Sequence, residues 1–225
     1  RFEAHVGNKC KICREAITPI GLRLKRWGHI NLAAPIAHTW FLNGKPSYIS
    51  TVLDMPLQDL KKVIYFDKYI VVESKIPEIR VKKLCTENQY KKAIKDFGKD
   101  KFEAKIGAEA LKYLLKKVDL EELYNELRKE MGSQSFSEDS RSRTRLKVIE
   151  SLLLSKSRPE DMILENIPVF PPDLRFITLG SQDEIVCHPI NNLYRDVIIR
   201  NKVLLKLFEL NAPEIITKTE TILLK

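Results

Sequence analysis

The residues best placed by type and spacing to do chemistry are Cys10-Lys11-Ile12-Cys13. Two thiolates separated by two residues can reach one tetrahedral metal, with zinc–sulfur bonds of about 2.3 Å. One such knuckle supplies half a site, because zinc needs two more ligands. Cys85 and Cys187 are single and distant in sequence, and His5 is close but insufficient alone. Three readings fit: half of a four-cysteine zinc site whose other pair precedes residue 1, a redox pair, or two unrelated thiols. The redox reading is the weaker, since no βαβ pattern surrounds the pair. His29 and His38 flank apolar segments, where a histidine usually serves as a hydrogen-bonded structural residue. The sequence holds no GxxxxGK[ST], GxGxxG, GxSxG or HExxH string. It also has no cluster of aspartates spaced to hold two magnesium ions. These residues read as a binding and structural module, with no catalytic residue of their own.

Charge gives that module a class of partner. Lys plus Arg number 39 against 30 Asp plus Glu, a net charge of +9. Such a surplus attracts phosphate polymers or anionic surfaces. It is also clustered: Lys9, Lys11, Arg14, Arg23, Lys25 and Arg26 are opposed only by Glu15, and Arg141, Arg143, Arg145 and Lys147 follow Glu138 and Asp139. A solvated helix face would look similar.

The elements that must position these groups can be read from periodicity. Leu22, Leu24, Ile30 and Leu32 suit a strand or hairpin, and Asn43-Gly44 signals a turn. Asp54 is a plausible N-cap with Pro56 in the first turn, followed by Leu57, Leu60 and Ile64 at helical spacing. The segment KYIVVES reads as a strand. Thr86 and Gln89 form a capping box for a helix that Gly98 stops. GAEALKYLLKKV and DLEELYNELRKEM are helices, the second capped by Asp119 with Glu122. GSQSFSEDSRSR is a polar break before the helix RLKVIESLLL. MILENIPVF is strand-like and ends at Pro171-Pro172, and residues 173–189 read as an irregular loop. Ile190, Leu193, Val197, Leu204 and Phe208 then form the apolar stripe of a helix about 20 residues long, broken at Pro213, with a second helix starting near Thr217. A long helix, a tight turn and a returning helix make a helical hairpin.

The chain has 225 residues, 44% hydrophobic and 31% charged. It is long enough for one large domain or two small ones and apolar enough for a core. No run of about 18 apolar residues occurs, which excludes a membrane-spanning helix. No secretory signal pattern is visible. Four cysteines are too few for a disulfide scaffold and point to a reducing compartment. Residue 1 is Arg and the chain stops within an apolar pattern, as expected of a piece of something longer.

Four strings, in order and over nearly the whole chain, carry a family likeness: RWGHINLAAPIAHTWFLNGKPSYISTVLDMPLQDLKKVIYF, FEAKIGAEALKYLLKKVDLEEL, RPEDMILENIPVFPPDLR and NNLYRDVIIRNKVLLKLFELNAPEII. They resemble the N-terminal part of the beta-prime subunit of bacterial-type RNA polymerase, which typically shows GHIELA-P-HIWFLK, PSRI-LLDM, PPDLRP, LYRRVINRN and LAAPDII. The resemblance implies an α+β, mainly helical piece of the polymerase clamp. Residues 1–30 would be the second half of a zinc-binding element, 31–172 the clamp core, 173–189 the lid near the upstream end of the RNA–DNA hybrid, and 190–225 a clamp-helix hairpin with a truncated second helix. Cys10 and Cys13 would be the second cysteine pair of the zinc site. Arg200, Lys218 and Glu220 would contact sigma factor, Lys218 standing where the family usually has Arg. Arg175, Lys25 and Arg26 would face nucleic acid.

The resemblance further implies as partners DNA, the RNA–DNA hybrid, sigma factor and the polymerase beta, alpha and omega subunits, with no membrane. The setting would be bacterial cytoplasm, or plastid stroma if organellar. The nucleotidyl-transfer magnesium would be held by an NADFDGD string beyond residue 225. Several positions depart from the pattern. Arg14-Glu15-Ala16-Ile17 replaces Gly-Val-Glu-Val, Phe176 replaces Pro, GSQDEIVCHP replaces a Gly-Gly-Arg-Phe lid, and Asp196 replaces Arg. Without the resemblance, the leading reading is a stand-alone zinc-containing nucleic-acid-binding protein.

Overall fold

The computed structural model describes residues 7–12, 14, 16, 20–98, 101–131, 140–179 and 185–225. The chain forms two compact units, one from Arg1–Ala33 with Asn166–Leu224 and one from Ala34–Glu165 with Lys225. No described helix is long and apolar enough to cross a membrane.

The second unit is built by local rules over much of its length. α2 (Thr39–Asn43) starts where His38 Nδ1 accepts from the Trp40 N–H at 3.1 Å and ends at Gly44. α3 (Tyr48–Leu53) starts at Ser47, and α4 covers Leu57–Ile64. Strand β2 (Tyr69–Ser74) lies between β3 (Leu84–Cys85) and β4 (Phe102–Lys105), both antiparallel to it. Ile70, Val71 and Val72 are all buried, because both faces of β2 are covered. Ile70 and Val72 join Leu42, Ile49, Leu53, Leu60, Leu111 and Leu115 in the main core, while Val71 packs with Phe102 and Ala104 in a smaller cluster. A strand covered on both faces reads as a continuous apolar run, as Ile70-Val71-Val72 does within KYIVVES.

α5 (Glu87–Phe97) has the expected reciprocal capping box, with Thr86 Oγ1 accepting from Gln89 N and Gln89 Oε1 from Thr86 N, and Gly98 as its C-cap. α6 covers Ala108–Lys116 and α7 Leu120–Met131; Asp119 Oδ1 accepts from the N–H groups of Glu121 and Glu122 at 2.9 and 3.1 Å. α8 spans Ser140–Leu154 and packs on α7 and α3.

Two expectations fail in this unit. Asp54 is no N-cap. It closes α3 in the left-handed region (φ 53°), and Pro56 occupies the N-cap position of α4. Its carboxylate instead accepts from Arg141 and Arg145. The polar break also ends earlier than expected, since Ser140 to Arg143 are the first turn of α8; residues 132–139 lie outside the described residues. Thr144 Oγ1 donates back to the Ser140 carbonyl at 2.8 Å, so the hydroxyl-rich start is compatible with helix.

In the first unit, residues 22–25 are helical and not a strand: α1 covers Ile20–Lys25, and β1 begins at Gly28 and runs to Ala37. Two leucines two positions apart do not by themselves fix a period. β1 pairs with β5 (Ile163–Val169). Residues 173–189 are not irregular throughout. After a 3-10 turn at Pro172–Leu174, β6 (Ile177–Leu179) and β7 (Ile185–Cys187) pair antiparallel with Ile177 opposite Cys187. The β-branched residues Ile177, Thr178, Ile185 and Val186 supply the propensity; residues 180–184 lie outside the described residues. α9 covers Pro189–Glu209, and α10 covers Glu214–Leu224 and packs on α9. α10 starts three residues before the expected Thr217, since the Pro213 carbonyl already accepts from Ile216 N and Thr217 N.

Candidate nucleic-acid and partner interface

α9 begins where its sequence sets it. His188 Nδ1 accepts from Ile190 N at 3.3 Å, and Pro189 sits at the first helical position. Three polar side chains on one face then seat the helix. Asn191 Nδ2 donates to the Arg175 carbonyl at 3.2 Å and Oδ1 accepts from Arg175 Nη1 at 3.0 Å. Tyr194 Oη donates to the Pro168 carbonyl at 3.1 Å and accepts from Phe170 N at 3.2 Å. Asn201, 6% exposed, accepts from Ala33 N at 2.7 Å and donates to the Asn31 carbonyl at 2.8 Å. The amide thus replaces a neighbouring strand along β1. Leu204, fully buried, lies three residues further on the same face.

The expected stripe is therefore displaced. Leu193 and Phe208 are exposed, and the inward row is Ile190, Tyr194, Val197, Asn201 and Leu204. Purely apolar counting passes over Asn191, Tyr194 and Asn201, although their helical spacing with Ile190 and Leu204 was a readable signal. The opposite face carries Ile199, Val203 and Leu210, all exposed. Lys202, Lys206 and Arg200 are also exposed.

The sequence-predicted partner positions differ in their surroundings. Arg200 is exposed, with no hydrogen bond or ion pair among the described residues. Lys218 is half-buried and donates to Glu214 Oε2 at 2.8 Å. Glu220 is half-buried on the same helix. Asp196, where the resemblance led one to expect Arg, pairs with its neighbour Arg195 at 3.3 Å and cancels that charge.

The nucleic-acid positions separate in the same way. Arg175 is held inside the fold: Nε donates to the Phe170 carbonyl at 2.8 Å and Nη1 to Asn191. It fastens the turn after β5 to the first turn of α9. Lys25 and Arg26 are exposed at the end of α1, with no ion pair among the described residues. Of the basic run on α8, Arg141 and Arg145 both bind Asp54, at 2.8 and 3.2 Å, so half of it is spent on structure; Arg143 and Lys147 stay exposed. Lys82 Nζ completes that corner by donating to the Leu53 carbonyl at 2.8 Å. Burial pushes the Lys82 ammonium below its ordinary value, Arg145 adds to the shift and Asp54 opposes it.

Cys10 is half-buried at the start of a tight turn, where its carbonyl accepts from Arg14 N at 2.9 Å. Arg14 is left-handed (φ 60°), and Lys9 bridges Ala16 antiparallel around the turn. This is compatible with a thiolate knuckle, and it shows that Arg14 can turn the chain where the family pattern has Gly. Cys13 lies outside the described residues. Among the described residues, no group of three or more His, Cys, Asp and Glu is placed to hold a metal ion. Cys85 is half-buried with its thiol pushed up by burial and its Sγ 3.8 Å from the Tyr69 carbonyl, the setting of a structural cysteine.

Comparison with known proteins adds a strong constraint. Residues 2–225 match the family model described as RNA polymerase Rpb1, domain 1. The chain is 44% identical over 223 residues to the DNA-directed RNA polymerase subunit beta' of Blochmanniella floridana, covering 96% of this chain and 15% of that protein. It is 44% identical over 218 residues to the subunit of the same name from Baumannia cicadellinicola subsp. Homalodisca coagulata, and 42% identical over 218 residues to that of Buchnera aphidicola subsp. Baizongia pistaciae, with the same coverage. The chain spans 15% of the length of these relatives.

Proposed function

Since the chain belongs to the RNA polymerase Rpb1, domain 1 family, we propose that it serves DNA-templated RNA synthesis as the clamp-forming part of a polymerase largest subunit. The observation that carries this is the match over residues 2–225, supported by 44% identity to a beta' subunit across 96% of the chain. In this reading the chain grips and guides nucleic acid in a cytoplasmic or plastid enzyme assembled with beta, alpha and omega subunits. The magnesium of nucleotidyl transfer is held by residues outside this chain. Residues 173–189 act as the lid, and α9 with α10 docks sigma factor through Arg200, Lys218 and Glu220. Cys10 and Cys13 supply half of a zinc site that orders the segment before α1. The donor chemistry fits zinc, and two thiolates make half a set.

Phosphate contact falls to Lys25 and Arg26, because they are exposed and have no ion pair among the described residues. Arg175 contributes by holding the turn beside them and by whatever donor capacity its internal bonds leave. Such contacts position nucleic acid without reading its sequence. The test is anisotropy of labelled duplex DNA and RNA–DNA hybrid with the 225-residue chain across a salt series. Replacing Lys25 and Arg26 together by alanine should weaken binding and lower the log–log salt slope by about 2. An unchanged slope overturns the assignment of these residues. Elemental analysis checks the zinc half-site: less than one zinc per isolated chain is expected, and one once a second cysteine pair is supplied upstream. One tightly held zinc on the isolated chain overturns that reading.

A further inference from the structure

Trp27 and Phe176 are 52% and 61% exposed, and both belong to the first unit. They flank one feature. Trp27 packs on Phe170, ring centroids 4.8 Å apart and tilted by 50°. The Phe170 carbonyl is held by Arg175 Nε at 2.8 Å, and Phe176 follows Arg175 directly. α1, which leads into Trp27, packs against the Pro172–Leu174 turn between them. Phe176 is fixed at the base of the β6–β7 hairpin, where its carbonyl accepts from His188 N at 3.2 Å and its ring meets the His188 ring edge-on at 6.2 Å. Two large rings, each tied to the fold by its neighbours, are thereby left open to solvent.

We propose that Trp27 and Phe176 form a stacking platform for unpaired bases of single-stranded nucleic acid, with Lys25 and Arg26 holding its phosphates. The inference rests on the nucleic-acid reading above and adds the strand state and the contact mode. Charge selects the occupant. Lys25 and Arg26 stand next to Trp27, exposed and without a carboxylate partner among the described residues. Asp173, on the turn, is engaged within the fold. Lysine is depleted at the centre of protein–protein interfaces, whereas rings beside unpaired cations suit a strand with phosphates and free base faces. Duplex bases offer no free faces, since their neighbours cover them. Phe176 stands where the resemblance pattern has proline, so this half of the platform is a property of this chain.

The chain has two tryptophans, so a Trp40→Phe background leaves Trp27 as the sole indole. That chain is titrated with a 12-nucleotide oligoadenylate RNA and, separately, with a duplex of equal length. Quenching of indole emission by the single strand is expected. Phe176→Ala should weaken single-strand binding by about fivefold or more and leave duplex binding unchanged. Phe176 is exposed, and an unchanged melting curve confirms that the variant is folded. If Phe176→Ala changes neither affinity, or lowers both equally, while Lys25→Ala with Arg26→Ala still weakens binding, the platform is overturned and the nucleic-acid reading stands. If the parent chain binds neither oligonucleotide, both fall, and the exposed rings belong to a protein contact.

Discussion

Replacing Asn201 by leucine is expected to lower stability by about 3 kcal/mol and to free α9 from β1. The side chain is nearly buried and satisfies two backbone groups, Ala33 N–H and the Asn31 carbonyl. Leucine has the same branched skeleton and offers neither bond. Each buried backbone group left without a partner costs about 1–3 kcal/mol. Asn201→Asp should fare no better: it keeps an acceptor for Ala33 N but sets an anionic oxygen against the Asn31 carbonyl. Urea unfolding gives the energy, and hydrogen exchange at the Ala33 amide gives the location, since that amide should lose protection first. A loss under about 0.5 kcal/mol with Ala33 still protected would contradict the amide clamp.

The same helix carries the proposed sigma contact on another face, and the two roles separate cleanly. Arg200→Ala removes an exposed guanidinium with no ion pair among the described residues and should leave the unfolding midpoint unchanged while weakening sigma capture by about tenfold, as loss of an interface arginine often does. Unchanged capture removes Arg200 from the docking surface. Asn201→Leu should weaken capture only together with stability.

Gly107→Ala is expected to cost about 3 kcal/mol in the other unit. Gly107 is the N-cap residue of α6 at φ 81°, ψ −171°, a backbone region that is essentially glycine's own and costs other residues about 1–3 kcal/mol. A Cβ there would also lie 2.8 Å from Phe66 Cε1, in a ring that is itself half-buried. Overpacking of that kind adds about 1–3 kcal/mol. The position cannot drift away, because Gly107 N donates to the Val63 carbonyl at 3.0 Å and α6 brings Leu111 and Leu115 into the main core. Pairing Gly107→Ala with Phe66→Ala separates the causes. The double variant relieves the overlap but keeps the backbone penalty, so the two changes should be less than additive. A single variant as stable as the parent would show that the backbone at 107 differs from the one described.

What could be read along the chain was the part governed by neighbours a few residues apart. α5 is the clearest case: Thr86, Gln89 and Gly98 specify start, cap and stop within the segment itself. β2 is another, since a β-branched run covered on both faces looks the same in sequence as in the core. The candidate site divides along the same line. Cys10 could be placed in a turn and Lys25 and Arg26 in a basic patch, because their types and spacing carry that information. Whether a charge is free could not be read, because its partner lies far along the chain. Arg175 is bound to Phe170 and Asn191, and Arg141 and Arg145 to Asp54.

By itself, then, the sequence determined the mixed helix–strand class, most segment boundaries, the net charge and the polymerase likeness. Each is a property of local order or of a string of residues. The tertiary structure decided which cations are spent on the fold, that Asp54 terminates a helix where it looked set to start one, that residues 177–187 include a β-pair, and that Asn201 fills the place of a strand. All four depend on groups beyond a residue's immediate neighbours meeting in the fold, and at Asn201 that meeting place is buried, where an unmet hydrogen bond costs more than a local preference can offset.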